Sequence, residues 1–192
     1  MHLGIAHHLG WAVAVTASDN HAVVDRRRLE LIEPGLPTAP IHHDGGAHLL
    51  HRHGDPLGDE ALVALVTRVR TSALRATSAA LDELTGSLCE PILSMSLRAW
   101  PADFPTDIAV QRRMPYESRA DSVMYLQVLA ELGRARGWSI SFYDAKTVES
   151  EAEQVLGDRA EEVLYGPRTV LGPPWSKDHR TALAATVVAE RP

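Results

Sequence analysis

Residues 21–33 alternate with the period of a strand, Leu29 and Leu31 falling on one face and Glu30 and Ile32 on the other, which predicts a long third strand. Ahead of it, residues 3–6 form a short apolar stretch, Gly10 permits a tight turn, and Trp11-Ala12-Val13-Ala14-Val15-Thr16 is a run of β-compatible residues. Ser18-Asp19-Asn20 supplies a polar turn between the second and third runs. The opening of the chain therefore predicts an antiparallel meander of three strands.

The pattern breaks at Pro34. Pro34, Pro37, Pro40 and Pro56, with Gly35, Gly45, Gly46, Gly54 and Gly58, stop any helix or strand and predict a long loop over 34–58. Loops of that length in compact domains are usually functional or disordered. A helical period then starts at Asp59, a capping residue, and runs through Leu62, Leu65, Val66, Val69, Ala73, Ala76, Ala80, Leu81 and Leu84 to Gly86. Residues 91–97 return to the strand period, with Leu93, Met95 and Leu97 opposite Ile92, Ser94 and Ser96.

After an irregular stretch over 100–115, Ser118 or Asp121 starts a helix whose stripe is Val123, Leu126, Leu129 and Leu132, ending near Gly137. Residues 138–143 read as a fifth strand, 147–156 and 158–165 as short helices, and 176–190 as a last helix with Ala182, Leu183 and Val187 inward. The order is β-β-β-α-β-α-β-α. A meander extended by two parallel strands through helical crossovers predicts an α/β fold, a mixed five-stranded sheet with helices on both faces.

Composition narrows the function classes. At 192 residues and 45% apolar content, one core and a single domain over 1–192 are expected. A net charge of -6 gives no basic footprint and argues against tight, non-specific nucleic-acid binding, though a local basic patch stays open. Cys89 is the lone cysteine, which rules out an intrachain disulfide and a cysteine-based zinc cluster and fits a cytoplasmic protein. No leader pattern and no membrane-length apolar run is present, so a soluble chain with no membrane partner is expected. Lys146 and Lys177 are the only lysines among 19 basic residues.

The element order, with Gly4-Ile5-Ala6, the turn Leu9-Gly10, the strand Trp11 to Thr16, and Asp178, Thr181, Ala182, Leu183 and Ala184 in the last helix, resembles the ribonuclease H-like superfamily, nearest its Holliday-junction resolvase branch. The resemblance implies a ribonuclease H-like fold and a two-metal nuclease site built from carboxylates. Its first Asp falls on Ala6, its strand-four Glu around Ser96 or Arg98, and its second helix carboxylate on Thr181, leaving Asp178 alone. A two-metal mechanism needs several converging carboxylates. The expectation is a degenerate active site without standard nuclease chemistry.

In such a fold the strand ends and the start of the last helix converge on one crevice. This expectation gathers His7, Ser96, Asp144, Lys146, Lys177, Asp178 and His179 in one neighbourhood, with catalytic roles assigned to Asp144, Lys146, Lys177, Asp178 and His179 and ligand-binding roles to His7, Ser96 and Trp175. The competing reading has Asp144 and Lys146 cap one helix, Lys177 and Asp178 begin another, and Trp175 lie as a lid over the sheet. In the loop, His42, His43, His48, His51 and His53, with Asp44 and Asp55, are candidate zinc or nickel donors, although their spacing belongs to no helix or strand. Arg26-Arg27-Arg28 reads as a solvated sheet edge, and Arg112-Arg113 as a pair able to bind phosphate. No cofactor is named by the sequence.

Three functions follow as expectations. One is a binding or interaction module tied to nucleic acid by analogy of fold alone. Another is a hydrolase, nuclease or phosphotransfer enzyme on the Asp/Lys/His group. The third is a homo-oligomer joined through the helix at 59–84. An enzyme calls for buried, mutually hydrogen-bonded polar residues in an open crevice, a module for a crevice filled by Trp175 or another apolar side chain with an exposed apolar patch elsewhere.

Overall fold

The computed structural model describes residues 1–46 and 54–189. The strands are β1 (His2–His7), β2 (Trp11–Ala17), β3 (Val23–Glu30), β4 (Ser94–Arg98) and β5 (Ser139–Tyr143). They form one sheet in the order β3-β2-β1-β4-β5. β2 pairs antiparallel with both β1 and β3, while β1–β4 and β4–β5 are parallel, as expected for a meander extended by crossovers. The helices are α1 (Asp59–Gly86), α2 (Ile108–Gln111), α3 (Glu117–Ala135), α4 (Val148–Leu156), α5 (Pro167–Leu171) and α6 (Lys177–Ala189). None of those described is long and apolar enough to cross a membrane.

The pleat sorts the core into two layers. Leu3 and Ile5 of β1 pack with Ala12, Ala14, Leu29, Met95 and Leu97 against α1 and α3. Gly4 and Ala6 face the other way. Ala6 joins Val13, Val15, Tyr143 and Trp175 beneath α4 and α6. Gly4 is the closest approach: a Cβ there would collide with the backbone oxygen of Ala182, so α6 lies on β1 with no side chain between them.

Several boundaries differ from the sequence expectation. The third strand ends at Glu30 rather than 33, because Leu31 donates its N–H to Gly10 O at 2.8 Å and both Leu31 and Ile32 turn into the core. Within the predicted loop, Ile41–Gly45 forms a π-type helical turn. α3 begins at Glu117, not at Ser118 or Asp121. Asp121 is buried one turn into that helix and accepts the N–H groups of Ile41 at 3.1 Å and His42 at 2.9 Å. Its carboxylate thus satisfies donors of another segment instead of capping its own.

The arginine runs are engaged in the fold. β3 is indeed an edge strand, but Arg26 donates to Gly172 O at 2.9 Å, to Leu171 O at 2.7 Å and to Pro174 O, tying the loop before α6 to the sheet. Arg27 binds Asp25 in bidentate fashion on the α1 side. Arg112 is not free to hold a phosphate: it donates to Gly45 O at 2.9 Å, Leu57 O at 2.7 Å and Asp59 Oδ1 at 2.5 Å.

The Gly4 contact yields a direct prediction. Gly4→Ala forces the Cβ into the α6 backbone and is expected to cost about 3 kcal/mol or more, lowering Tm by roughly 6 °C or more. Thermal unfolding followed by circular dichroism checks it, and an unchanged Tm refutes the close packing of α6 on β1.

Candidate functional site

The expected residues fall in two crevices rather than one. His7 follows Leu3 and Ile5 onto the α3 side of the sheet, whereas Ala6, Ser96 and α6 lie on the other. One crevice, of about 420 Å³, opens where the C-terminal ends of β4 and β5 meet α3; its lining includes Arg98, Ser118, Arg119, Ser122, Asp144 and Lys146. A second, along the α6 side of β2 and β3, includes Trp11, Arg26, Arg28, Asp178 and His179. Asp144 and Lys146 therefore line one crevice, Asp178 and His179 the other.

Local chemistry explains each placement. Asp144 accepts the backbone N–H of Lys146 at 2.9 Å, and its carbonyl accepts from Thr147 and Val148, so this residue shapes the entry to α4. Lys146 and Lys177 are exposed. His179 is buried, and its Nδ1 meets Ser176 Oγ at 2.8 Å, with the Ser176 N–H donating to it at 3.2 Å. Burial first, then Arg26, push its pKa below the usual histidine value, against the pull of Asp178. Trp175 is buried and spends its one donor on Leu164 O at 2.9 Å, so it acts as a lid over the sheet rather than an aromatic presented to solvent.

Ser96 is buried and shares a hydrogen bond of 2.9 Å with Ser141 Oγ. Thr181 donates to Glu149 Oε1 at 2.8 Å. Asp178 receives His8 Nε2 at 3.1 Å, and the His8 ring stacks on Trp11 with centroids 4.1 Å apart. The Arg28 guanidinium lies 4.0 Å from the Trp11 ring.

On the α3 side, His7 Nε2 lies 2.8 Å from Ser122 Oγ, and its Nδ1 is buried with no hydrogen-bond partner. Burial, with smaller contributions from Arg98 and His8, lowers its pKa to about 4, so the ring is neutral at neutral pH. The Tyr143 hydroxyl donates to Ile5 O at 2.8 Å, joining the end of β5 to β1, and burial holds its pKa well above the usual tyrosine value. Arg98, Arg119, Ser122 and His8 were not among the residues the sequence reading assigned to the site. The signal for two of them was faint: Arg119 and Ser122 lie within one turn of a helix, beside Ser118, but Arg98 sits on a different element.

Among the described loop residues, His42 Nδ1 lies 3.6 Å from Glu117 Oε1 and the His42 ring is tilted against that of His43. The candidate donors His48, His51 and His53 lie outside the described residues. Among the described residues no group of three or more His, Cys, Asp or Glu side chains is arranged to hold a metal ion.

No protein-family model matches the chain, and no curated protein matches it. Among solved structures, T. thermophilus RuvC in complex with a Holliday junction substrate matches over 97% of this chain and 90% of its own, with a TM-score of 0.52 at 12% identity. The fold is ribonuclease H-like. Its sheet order and flanking helices account for the placement of the site at the strand ends. At the positions where the resemblance puts carboxylates, this ribonuclease H-like fold carries the Ala6 methyl, the Ser96 and Thr181 hydroxyls engaged with Ser141 and Glu149, and one carboxylate, Asp178. Arg98 stands at the end of β4, where the resemblance offers the alternative position for Glu. That donor set does not fit a pair of divalent cations, which needs several carboxylates converging on both ions.

Histidine burial makes the stability pH-dependent in a fixed direction. His7 titrates near 6.5 unfolded and about 4 folded, so its contribution is fully present above 6.5 and is lost as pH falls toward 4. The expected loss is up to about 3 kcal/mol. His7→Gln should flatten the denaturant midpoint between pH 6.5 and 4 relative to the parent; identical pH profiles would show that His7 is not held neutral.

Proposed function

We propose that this chain is a ribonuclease H-like binding module, one domain over residues 1–192, with a degenerate active site and a crevice for a phosphate-bearing partner, in the first instance nucleic acid. The observation that carries the reading is the charge at the ends of β4 and β5. Arg98, Arg119 and Lys146 line that crevice, and among the described residues none of the three side chains forms an ion pair or a hydrogen bond. Cations without protein partners attract phosphate, and neutralising phosphates is the main source of nucleic-acid affinity.

Two further observations support it. Trp175 and Ala6 are committed to the apolar layer under α6, which leaves neither of them to a reacting group. The similar structure, RuvC, holds a Holliday junction, which makes a nucleic acid a reasonable partner by analogy. The exposed lone thiol of Cys89 fits a reducing cytoplasm. Of the residues on which a hydrolase or nuclease would be built, Asp144 and Lys146 line one crevice, Asp178 and His179 the other, and Lys177 neither.

Fluorescence anisotropy with a labelled four-way DNA junction, a linear duplex and a single strand tests this. Binding should weaken with salt, with a log–log slope reduced by about 1 in Arg119→Gln or Lys146→Gln, and be equal in EDTA and magnesium. Magnesium-dependent cleavage that disappears in Asp178→Ala would replace the module with a nuclease. Failure of all three DNAs to bind at low salt would remove the nucleic-acid link.

A further inference from the structure

The crevice at the ends of β4 and β5 is a donor array with a defined charge. Arg98, Arg119 and Lys146 supply three cations, and Ser118 and Ser122, one turn apart on α3, supply two hydroxyls. Asp144 is the only acid lining it, and its carboxylate already accepts the Lys146 N–H at 2.9 Å. Three cations against one lining carboxylate leave the crevice net positive, with the Asp178 charge also felt at the lining residue Tyr143, in a chain whose net charge is -6. A phosphodiester carries one negative charge, whereas a phosphate monoester carries close to two at neutral pH.

His7 orients the hydroxyl at the floor. Its Nδ1 is buried and unpartnered, and its Nε2 faces Ser122 Oγ at 2.8 Å. A buried orphan donor is rarer than a buried orphan acceptor. The tautomer that avoids the orphan donor carries its proton on Nε2 and donates to Ser122. Ser122 then accepts from His7 and keeps its own hydrogen for a ligand oxygen. The ring is neutral in this arrangement, so it adds no charge to the crevice. Trp100 also lines the crevice and offers an aromatic surface beside the cations.

We propose that this crevice binds a phosphate monoester, the terminal phosphate of an oligonucleotide or of a mononucleotide, with Arg98, Arg119 and Lys146 matching its two charges and Ser122 donating to one of its oxygens. The volume of about 420 Å³ accommodates a ligand of nucleotide size. The proposal rests on the reading of this crevice as the ligand site and adds the class of phosphate it selects.

Two titrations decide it. Calorimetry with 5′-AMP, adenosine and inorganic phosphate should show heat for the phosphates and none for adenosine. Anisotropy with one single-stranded oligonucleotide, bearing either a 5′-phosphate or a 5′-hydroxyl, should show the phosphorylated strand binding about tenfold tighter, the worth of a charge-assisted hydrogen bond. A phosphorylated strand that outbinds AMP identifies a strand end as the source, and equal affinities identify the free nucleotide. Lys146→Gln, at an exposed position, and Ser122→Ala should each lower affinity for AMP about tenfold with Tm unchanged for the former. Strands that bind equally with and without the phosphate, with AMP silent, overturn the proposal and leave the nucleic-acid reading intact. AMP binding without binding of either strand overturns the nucleic-acid reading and leaves the monoester site standing.

Discussion

The contact between α6 and β1 governs the rest of the molecule. Gly4 lets the α6 backbone rest on the central strand, which brings the first turn of that helix to the C-terminal end of β1. From there the placement of the neighbouring side chains is largely determined. Asp178 reaches His8, Thr181 reaches Glu149, and Trp175 covers the layer that contains Ala6. These polar groups find partners inside the protein, as buried or half-buried polar groups must when water is excluded. This face is spent on packing and internal hydrogen bonds.

The opposite side of the sheet is arranged differently. His7 sits one residue after Ala6, and that single step turns it toward α3. The position of α3 is in turn set by Asp121, which grips the turn at residues 41–45 through two N–H groups. Burial pushes its pKa up to about 7, with Asp44 and Glu117 adding to the rise, while the two donors from His42 and Ile41 oppose it. A carboxyl group held in that balance favours its neutral form in the folded state more than in the unfolded chain. It fixes the helix turn immediately preceding Ser122, and with it the floor of the cationic crevice.

Much of the architecture was legible in the sequence because periodicity is a local property. The alternation of Met95 and Leu97 against Ser94 and Ser96 placed β4, although Leu93 lies before the strand and is exposed while Ile92 is buried, and the helical stripe from Leu62 to Leu84 placed α1. Where long-range contacts decide, the pattern misled. Asp121 has the residue type of a helix cap, but its partners lie about eighty residues upstream. The strand at 21–33 lost its end because Leu31 and Ile32 both have a core to enter. The crevice was hidden for the same reason: its cations come from β4, α3 and the β5–α4 turn, and no segment of the chain displays them together.

On the proposed reading, Arg98 lets one fold keep an affinity for phosphate while changing a chemistry. A carboxylate at the end of β4 would attract a divalent ion, and the ion would in turn contact a phosphate. A guanidinium at that end contacts phosphate directly, through planar paired donors and a permanent charge. A guanidinium does not supply what a bound ion does, the lowering of a bound water's pKa and the stabilisation of an attacking and a leaving oxygen at once. On the proposed reading, the three cations, the Ser122 hydroxyl and the neutral His7 behind it retain recognition of phosphate and relinquish its hydrolysis. Acidic composition is compatible with that role, because a cluster of unpaired cations confined to one crevice draws the ligand there while the rest of the surface repels it.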